Sequence, residues 1–368
     1  MIKLLKTLAI NIAVSINVLI IVLMLLVGFS DRIDPEAHPM LACAGMIFPV
    51  FPLANALMLC FWVVFSWRRL WIPVVGFVLA YVPINIYVPM RAMHDPPPGT
   101  LKVLSYNVSG YGGTPDSIAD HFGAIFDYIC QQQPDIVCIQ EENDTWRNVE
   151  KRYAEKFKYN MRVNLGRDSS KWHNHIGMHT RFPIIHSEVI DAPSVTTVNG
   201  AVAFYLDAGT DTIMVVGCHL ENIHLNRKDR KQYKEILKGD MERDTVRAEG
   251  MQLLYKFSGA IKARAAQVKA IRRYINQHRG TKPLIVCGDF NDTPISFTRH
   301  TLADGFTDCY AASGCGLGLS YNQKGFNFRI DHFICSSDMQ PVRCVVDSKL
   351  SESDHFPLLC WLKMGHNP

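Results

Sequence analysis

The stretch "LIVCGDFND" (residues 284–292) runs apolar for four residues and then places Asp289, Phe290 and Asn291 directly after a glycine. In an extended segment residues i and i+2 point the same way. Asp289 and Asn291 are therefore expected on one side at the rim of a sheet, with Phe290 turned into the core. A strand entering a Gly/Asp/Asn turn has the same pattern in isolation. Recurrence along the chain separates the two readings.

Other apolar runs also end in a polar residue. "LKVLSYN" ends at Asn107, "DIVCIQE" at Glu141, and "IMVVGCHLEN" brings His219 to the end of its run. "RIDHFIC" reverses the order and opens its run with Asp331, and "SDHFPLLCWL" puts Asp354 and His355 just before the last strand-like run. With Asp289 and Asn291 these make six strand edges. One Asp or His at a strand end is ordinarily a turn former, but six with this mix point to chemistry. Carboxylates with an Asn suit a hard divalent cation such as Mg²⁺, which takes oxygen ligands and keeps waters. Two histidines without a cysteine partner suit hydrogen bonding to a phosphoryl oxygen. Phosphoester hydrolysis uses this combination.

The 368 residues are 48% hydrophobic, and a mean hydropathy of +0.04 hides a sharp split. Nearly all long apolar runs precede residue 95. Three uncharged runs, 8–29, 40–66 and 70–90, are each long enough to cross ~30 Å of hydrocarbon at ~1.5 Å per residue. Three transmembrane helices are expected, with the lipid bilayer contacted through residues 8–90. Pro73, Pro83 and Pro89 in the third run are tolerated in membrane helices. The length of the first run and its lack of a small-x-small site argue against a cleaved signal peptide. Lys3, Lys6, Arg68 and Arg69 flank the spans on one side, while the loop between the first two holds Asp31, Asp34 and Glu36 with Arg32. Positive-inside then places the N-terminus in the cytoplasm and everything after Arg91 outside an inner or plasma membrane. The expected layout is an anchor over 1–93, the stiff linker "HDPPPGT" over 94–100, and a catalytic domain over 101–368. A net charge of +4 does not by itself suggest nucleic acid. Cys138, Cys218, Cys287 and Cys360 look like buried small hydrophobes, and Cys309 and Cys315 pair only if the compartment is oxidising.

Residues 100–363 resemble the endonuclease/exonuclease/phosphatase superfamily (DNase I-like) as a membrane-anchored bacterial-type member. The resemblance rests on "SYN", "IQE", "GCHLEN", "GDFND", "RIDHF" and "SDHFP" in the family's order. It implies an α/β fold, a four-layer sandwich of two packed mixed β-sheets flanked by helices, with the site at one end. It further implies hydrolysis of phosphoester bonds with Mg²⁺ or Mn²⁺. Carried over residue by residue, Glu141 is the principal metal ligand, with Asn107 and Asp354 completing the metal-side oxygens. Asp289 positions or deprotonates the attacking water, and Asn291 and His219 donate to phosphate oxygens. His355 contacts the scissile phosphate and Asp331 orients it, since a carboxylate on one ring nitrogen fixes the tautomer.

Two segments depart from the family's pattern. "GMHTRFPI" carries His179 and Thr180, with His173 and His175 just upstream. These histidines are expected in a polar surface loop, with second-site metal ligation as the alternative. The charged segment 222–258 is expected to be a solvated helix face rather than a substrate arm, and "KARAAQVKAIRRYI" shows Ala265, Val268, Ile271 and Ile275 at helical spacing. The substrate class stays open among nucleic acid, phospholipid or sphingolipid head groups and small phosphoesters, and membrane tethering favours a lipid-like one. The competing reading, a non-catalytic membrane protein binding a phosphorylated ligand, predicts loss of Glu141, Asp289 or His355. All three are present.

Overall fold

Strands that are apolar at every position need cover on both faces, and this requirement builds the molecule beyond residue 100. In the computed structural model the chain is described except at residues 1, 113–114, 143–148, 167–173, 224–226, 239–242, 324–325 and 366–368. The first seven strands are β1 (Leu101–Asn107), β2 (Ile136–Gln140), β3 (Tyr159–Asn164), β4 (His175–Thr180), β5 (Ile184–Val189), β6 (Gly200–Asp207) and β7 (Thr212–His219). The rest are β8 (Leu284–Asp289), β9 (Thr307–Asp308), β10 (Tyr321–Gln323), β11 (Phe326–Phe328), β12 (Asp331–Cys335), β13 (Met339–Val346) and β14 (Leu358–Met364). One six-stranded sheet runs β13-β14-β1-β2-β4-β3, the other β5-β6-β7-β8-β12-β9, and β10 and β11 form a hairpin. Both sheets are mixed: β1 pairs parallel with β2 and antiparallel with β14, while β8 pairs parallel with β7 and antiparallel with β12.

β8 shows why there are four layers. Leu284 and Val286 pack with Val268, Ile271 and Ile275 of the helix Arg243–His278. Ile285 and Cys287, on the other face, pack with Val103 and Cys138 of the opposing sheet. That sheet is covered outside by the helix Pro115–Gln132 through Ile125, Phe126 and Ile129. The expected sandwich is therefore present. All eleven cysteines are free thiols, Cys309 buried and Cys315 exposed.

The first 93 residues correct the expectation of three transmembrane helices. Among the described residues one unbroken helix, within the stretch Leu4–Arg32, is long and apolar enough to cross a membrane. The second run is the bent pair Pro39–Ile47 and Val50–Phe65, with 44° between its halves. The third is the bent pair Trp67–Leu79 and Tyr81–Tyr87, with 65°. The prolines explain the breaks. Pro39 opens Pro39–Ala42, and Pro52, Pro73 and Pro83 are each the third residue of Val50–Phe65, Trp71–Leu79 and Tyr81–Tyr87. Proline lacks an N–H and fits only the first helical turn, so each one restarts a helix and leaves a break before it. A hydropathy window counts apolar residues and does not register where hydrogen bonding restarts.

Polar side chains hold these helices together. Trp62 Nε1 donates to Asn17 Oδ1 (2.9 Å), Asn17 Nδ2 to Asn55 Oδ1 (3.0 Å), and Asn55 Nδ2 to the Pro73 carbonyl (2.9 Å). The three apolar runs are thus linked by one fully buried network.

The bundle is also fastened to the sandwich ahead of the 94–100 linker. Asp31, at the end of the first run, meets Arg299 at 3.3 Å, with both side chains buried. Lys269 bridges Asp34 (2.8 Å) and Glu36 (3.1 Å). The Arg329 guanidinium donates to the Ile86 carbonyl, and Met90 pairs with Cys315 in an isolated bridge. Asp31→Asn should lower the stability of the detergent-solubilised chain by about 3 kcal/mol, the scale for breaking a buried pair. Glu36→Gln, at an exposed pair, should change it by less than about 1 kcal/mol. Denaturant unfolding of both variants provides the comparison, and equal losses would show that Arg299 does not depend on Asp31.

Candidate active site

Side-chain parity places the site. Leu101 and Val103 of β1 face the space between the sheets, and so does Asn107 two pleats on. The same count carries Ile213 and Val215 to His219, Ile285 and Cys287 to Asp289, and Phe333 back to Asp331. The cross-strand register sets His219 beside Asp289 and Asp289 beside Asp331. Beyond its last apolar layer, the interior of the sandwich therefore ends in a polar one. Asn107 Nδ2 crosses between the sheets to Asp289 Oδ2 at 3.1 Å.

The opening segment behaves as expected up to Phe290, which is fully buried. Gly288 sits at φ +132°, and a Cβ there would lie 2.1 Å from the Cys218 carbonyl oxygen, so the close approach of β7 and β8 requires glycine. Asn291 then takes the left-handed conformation (φ 52°) and ends the alternation. Its N–H donates to Asp289 Oδ1 (2.8 Å), and its side-chain Nδ2 donates to the Leu220 carbonyl (2.9 Å). Glu141 is likewise left-handed (φ 56°), which turns the chain off β2 and brings its carboxylate to the cavity.

His355 lies between two carboxylates, with Nδ1 2.8 Å from Asp331 Oδ2 and Nε2 3.6 Å from Asp289 Oδ2. Burial disfavours its charged form, but Asp331 and Asp289 outweigh that and push the ring up to about 10. It is an imidazolium at neutral pH. Burial, reinforced by Asp331 against the pull of His355 and His219, pushes Asp289 up to about 6. A carboxylate in that range is matched to general-base work near neutrality. Tyr321 closes over the His355 ring edge-on at 5.1 Å.

His219 has a defined tautomer. Asn174 Nδ2 lies 2.7 Å from both His219 Nδ1 and the Val198 carbonyl oxygen. The carbonyl can only accept, so the amide nitrogen faces both, and Nδ1 accepts. The proton is then on Nε2, which points at Glu141 Oε1 (3.4 Å) and Asp289 Oδ2 (3.9 Å).

Glu141, Asp354, Asp289, Asn107, His219, Asn291 and His355 line one cavity of about 360 Å³; Asp331 stands behind His355. The oxygen donors fit a hard divalent cation. Glu141 keeps nearly a third of its side chain exposed there, and Asp354 is half-buried, with Oδ2 accepting from Gln323 at 3.5 Å. Asn107 differs from its expected part. Its Oδ1 accepts the Ser109 N–H (3.0 Å), so the amide nitrogen faces Glu141 (3.2 Å) and Asp289. An oxygen from Asn107 would require giving up the Ser109 bond. Asp289, Asp331 and His355 also bring one ligand atom each within 4.8 Å of one another. Both ring nitrogens there already face carboxylates, which makes the group an ion-paired relay rather than a metal cage.

The sequence pattern does not single out several residues that hold the site. Arg264 is buried, donates from Nε to Asp292 Oδ2 (3.1 Å) and from a terminal nitrogen to the Glu221 carbonyl (2.9 Å), and pins the turn after β8. Its position four before Val268 on the apolar stripe 264-268-271-275 was an available signal, since a charge on a buried face has a partner. His332, pushed down to about 4 by burial, bonds the Asp292 carbonyl (2.9 Å). Ser353 donates to the Asn107 carbonyl (2.7 Å), tying the Asp354–His355 turn to β1. Asn174 carries no local pattern at all.

Two histidine expectations change. His179 is not in a surface loop: it is buried in β4, stacked on Tyr153 (3.9 Å), with Nε2 2.9 Å from Glu142. His175 opens β4, and His173 lies outside the described residues. Within the charged segment, the helix Arg227–Lys238 exposes Lys228 and Lys231 but buries Asp229 against Lys256 (2.6 Å) and turns Arg230 and Tyr233 to the cavity.

A family model described as "Endonuclease/Exonuclease/phosphatase family" matches residues 104–355, and a domain of unknown function (DUF8431) matches residues 10–87. Among curated protein sequences none matches the chain. Similar solved structures include an endonuclease/exonuclease/phosphatase from Beutenbergia cavernae (14% identity, TM-score 0.54, 73% of this chain and 72% of that one). The human Nocturnin catalytic domain with bound sulfate is similar at 17% identity (TM-score 0.51, 73% and 96%). D. rerio TDP2 complexed with a single-strand DNA product is similar at 15% (TM-score 0.50, 72% and 100%). At these identities the structures share the fold.

The relay has a direct spectroscopic test. In the chelator-treated protein the His355 ring should titrate near 10 by NMR, and Asp331→Asn should bring it well toward the ordinary 6.5. An unchanged midpoint would remove Asp331 as the stabilising partner.

Proposed function

Because the chain belongs to the endonuclease/exonuclease/phosphatase family, whose members are metal-dependent phosphoester hydrolases, we propose that it is a membrane-tethered phosphodiesterase working outside the cytoplasm. The observation that carries this reading is the meeting of Asp289 with Asn107, His219 and His355 in a cavity also lined by Glu141 and Asp354.

The geometry supports the following roles. Asp289 takes a proton from the attacking water, whose oxygen bonds to phosphorus as the bond to the leaving ester oxygen breaks. The leaving oxygen takes a proton from solvent water and departs as an alcohol. His219 Nε2–H, the His355 imidazolium and the remaining Asn291 N–H donate to phosphoryl oxygens as negative charge builds on them. Asp331 keeps His355 charged and oriented. Glu141 and Asp354 would hold Mg²⁺ or Mn²⁺, with the Asn107 amide nitrogen holding the Glu141 carboxylate beside them; the cation would polarise the phosphoryl group and offset its charge.

The docking of the two parts supports the outward orientation without relying on the bent pairs. Asp31 ends the first apolar run, and its buried partner Arg299 belongs to the sandwich. With Lys3 and Lys6 on the cytoplasmic side, a single crossing by that first helix puts the domain across the membrane.

Asp289→Asn is nearly isosteric and should leave folding intact while lowering turnover of bis-p-nitrophenyl phosphate by at least ~10²-fold, the scale of a lost general base. Near-normal turnover would exclude Asp289 from the mechanism. Glu141→Gln should raise the Mg²⁺ or Mn²⁺ concentration needed for half-maximal activity far more than it changes KM, because it removes anionic charge from an oxygen-ligand site. A superimposable metal titration would move the metal elsewhere.

A further inference from the structure

The N-terminal bundle does more than sit beside the catalytic domain. Met46, from the short helical turn Cys43–Ile47 in the first half of the second apolar run, is itself part of the cavity lining. It packs with Phe257 of the helix Arg243–His278 on one apolar cluster, and both line the cavity, so part of the lining is apolar. That part continues outward. Cys43, Ala42 and Ile261 form a buried seam against which Met46, Phe257 and Leu254 pack. The turn lies flush on the sandwich: a Cβ at Gly45 would be 1.9 Å from the Ile295 carbonyl oxygen. Just outside the seam, Met40, Leu41, Ile47 and Val50 are exposed, Leu41 at 59% and Val50 at 58%. They follow the end of the one helix able to cross a membrane unbroken. The cavity's apolar lining is thus linked through the Ala42–Cys43 seam to a chain segment that exposes residues suited to hydrocarbon.

Another side of the lining has a different character. The helix Arg227–Lys238 contributes Arg230, and the reacting groups lie at the floor. A cavity with a cation, a phosphate-directed floor and an apolar side matches an amphiphile. A nucleic-acid strand asks instead for cations repeated along an open track. Among the described lining residues the arginines are Arg230 and Arg264, and Arg264 is committed to Asp292 and the Glu221 carbonyl.

We propose that the cavity takes a lipid phosphodiester from the adjoining leaflet, with Met46 of the anchor contacting its hydrocarbon part. The anchor would then supply a specificity-determining residue as well as a tether. This rests on the phosphodiesterase reading above, and the test separates the two. The full-length protein in detergent would be assayed with metal on bis-p-nitrophenyl phosphate, on a single-stranded oligonucleotide, and on mixed micelles of phosphatidylcholine, phosphatidylglycerol, phosphatidylethanolamine and sphingomyelin.

Cleavage of at least one micellar lipid in preference to the oligonucleotide is expected. Met46→Ala, which removes apolar contact without adding charge, should lower kcat/KM on that lipid about tenfold more than on the compact diester, the scale of two lost methylene contacts. Met46→Leu should retain lipid turnover. Equal losses on lipid and compact diester in Met46→Ala would overturn the proposal, as would turnover of the compact diester and oligonucleotide with none of the lipids. No turnover of the compact diester, the oligonucleotide or any lipid by the wild type would instead overturn the phosphodiesterase reading itself.

Discussion

Asp289 is almost wholly buried and is flanked by Asn107 from the facing sheet and by His219 and His355. A carboxylate removed from water in this way is costly unless donors surround it. Its donors come from β1, β7 and the turn before β14, and the carboxylate of Asp331 behind His355 comes from β12. Every one of those elements has to hold its register for the cluster to be satisfied. A slip of one residue in β8 would turn Asp289 toward the outer helix layer and bring Gly288 into the interior. The apolar packing of the sandwich and the polar closure of its end therefore depend on one alignment.

The supporting groups show how that alignment is kept. Arg264 and His332 both hold Asp292, so the turn after β8 is pinned from the covering helix and from β12. Ser353 ties the last functional turn to the end of β1, and Ser320 Oγ accepts from the Ile330 and Asp331 N–H groups of the chain entering β12, at 3.1 Å each. None of these four residues is offered a reacting atom. Each fixes the position of one that is, which is where precision in such a site originates.

The N-terminal region is integrated by the same logic of paired burial. Asp31 is buried against Arg299, Asp34 and Glu36 pair with Lys269 at the surface, and the broken helices are held by an Asn–Asn–Trp network instead of by length alone. The proline positions that interrupt the second and third runs also create the short turns that contact the sandwich. A straight three-helix anchor would have no turn of the kind that carries Met46.

Much of the site was legible because a strand has period two. Parity alone sends Asn107, His219, Asp289 and Asp331 to one face, and the order of apolar runs implies a sheet buried on both sides. What parity cannot carry is any residue past the end of a strand. The left-handed turns at Glu141 and Asn291 reorient side chains by backbone conformations that the alternation does not contain. Asn174 was invisible because its importance lies in two contacts, to His219 and to the Val198 carbonyl, from positions far apart in the chain. His179 looked like loop chemistry, and only the neighbouring strands show that its ring is stacked and paired in the interior. Composition established that the first ninety residues are apolar enough for a membrane, since hydropathy is a local sum. Whether those residues form straight spans or bent pairs, and that one of them enters the catalytic cavity, was decided by helix restarts and tertiary docking, which no local sum contains.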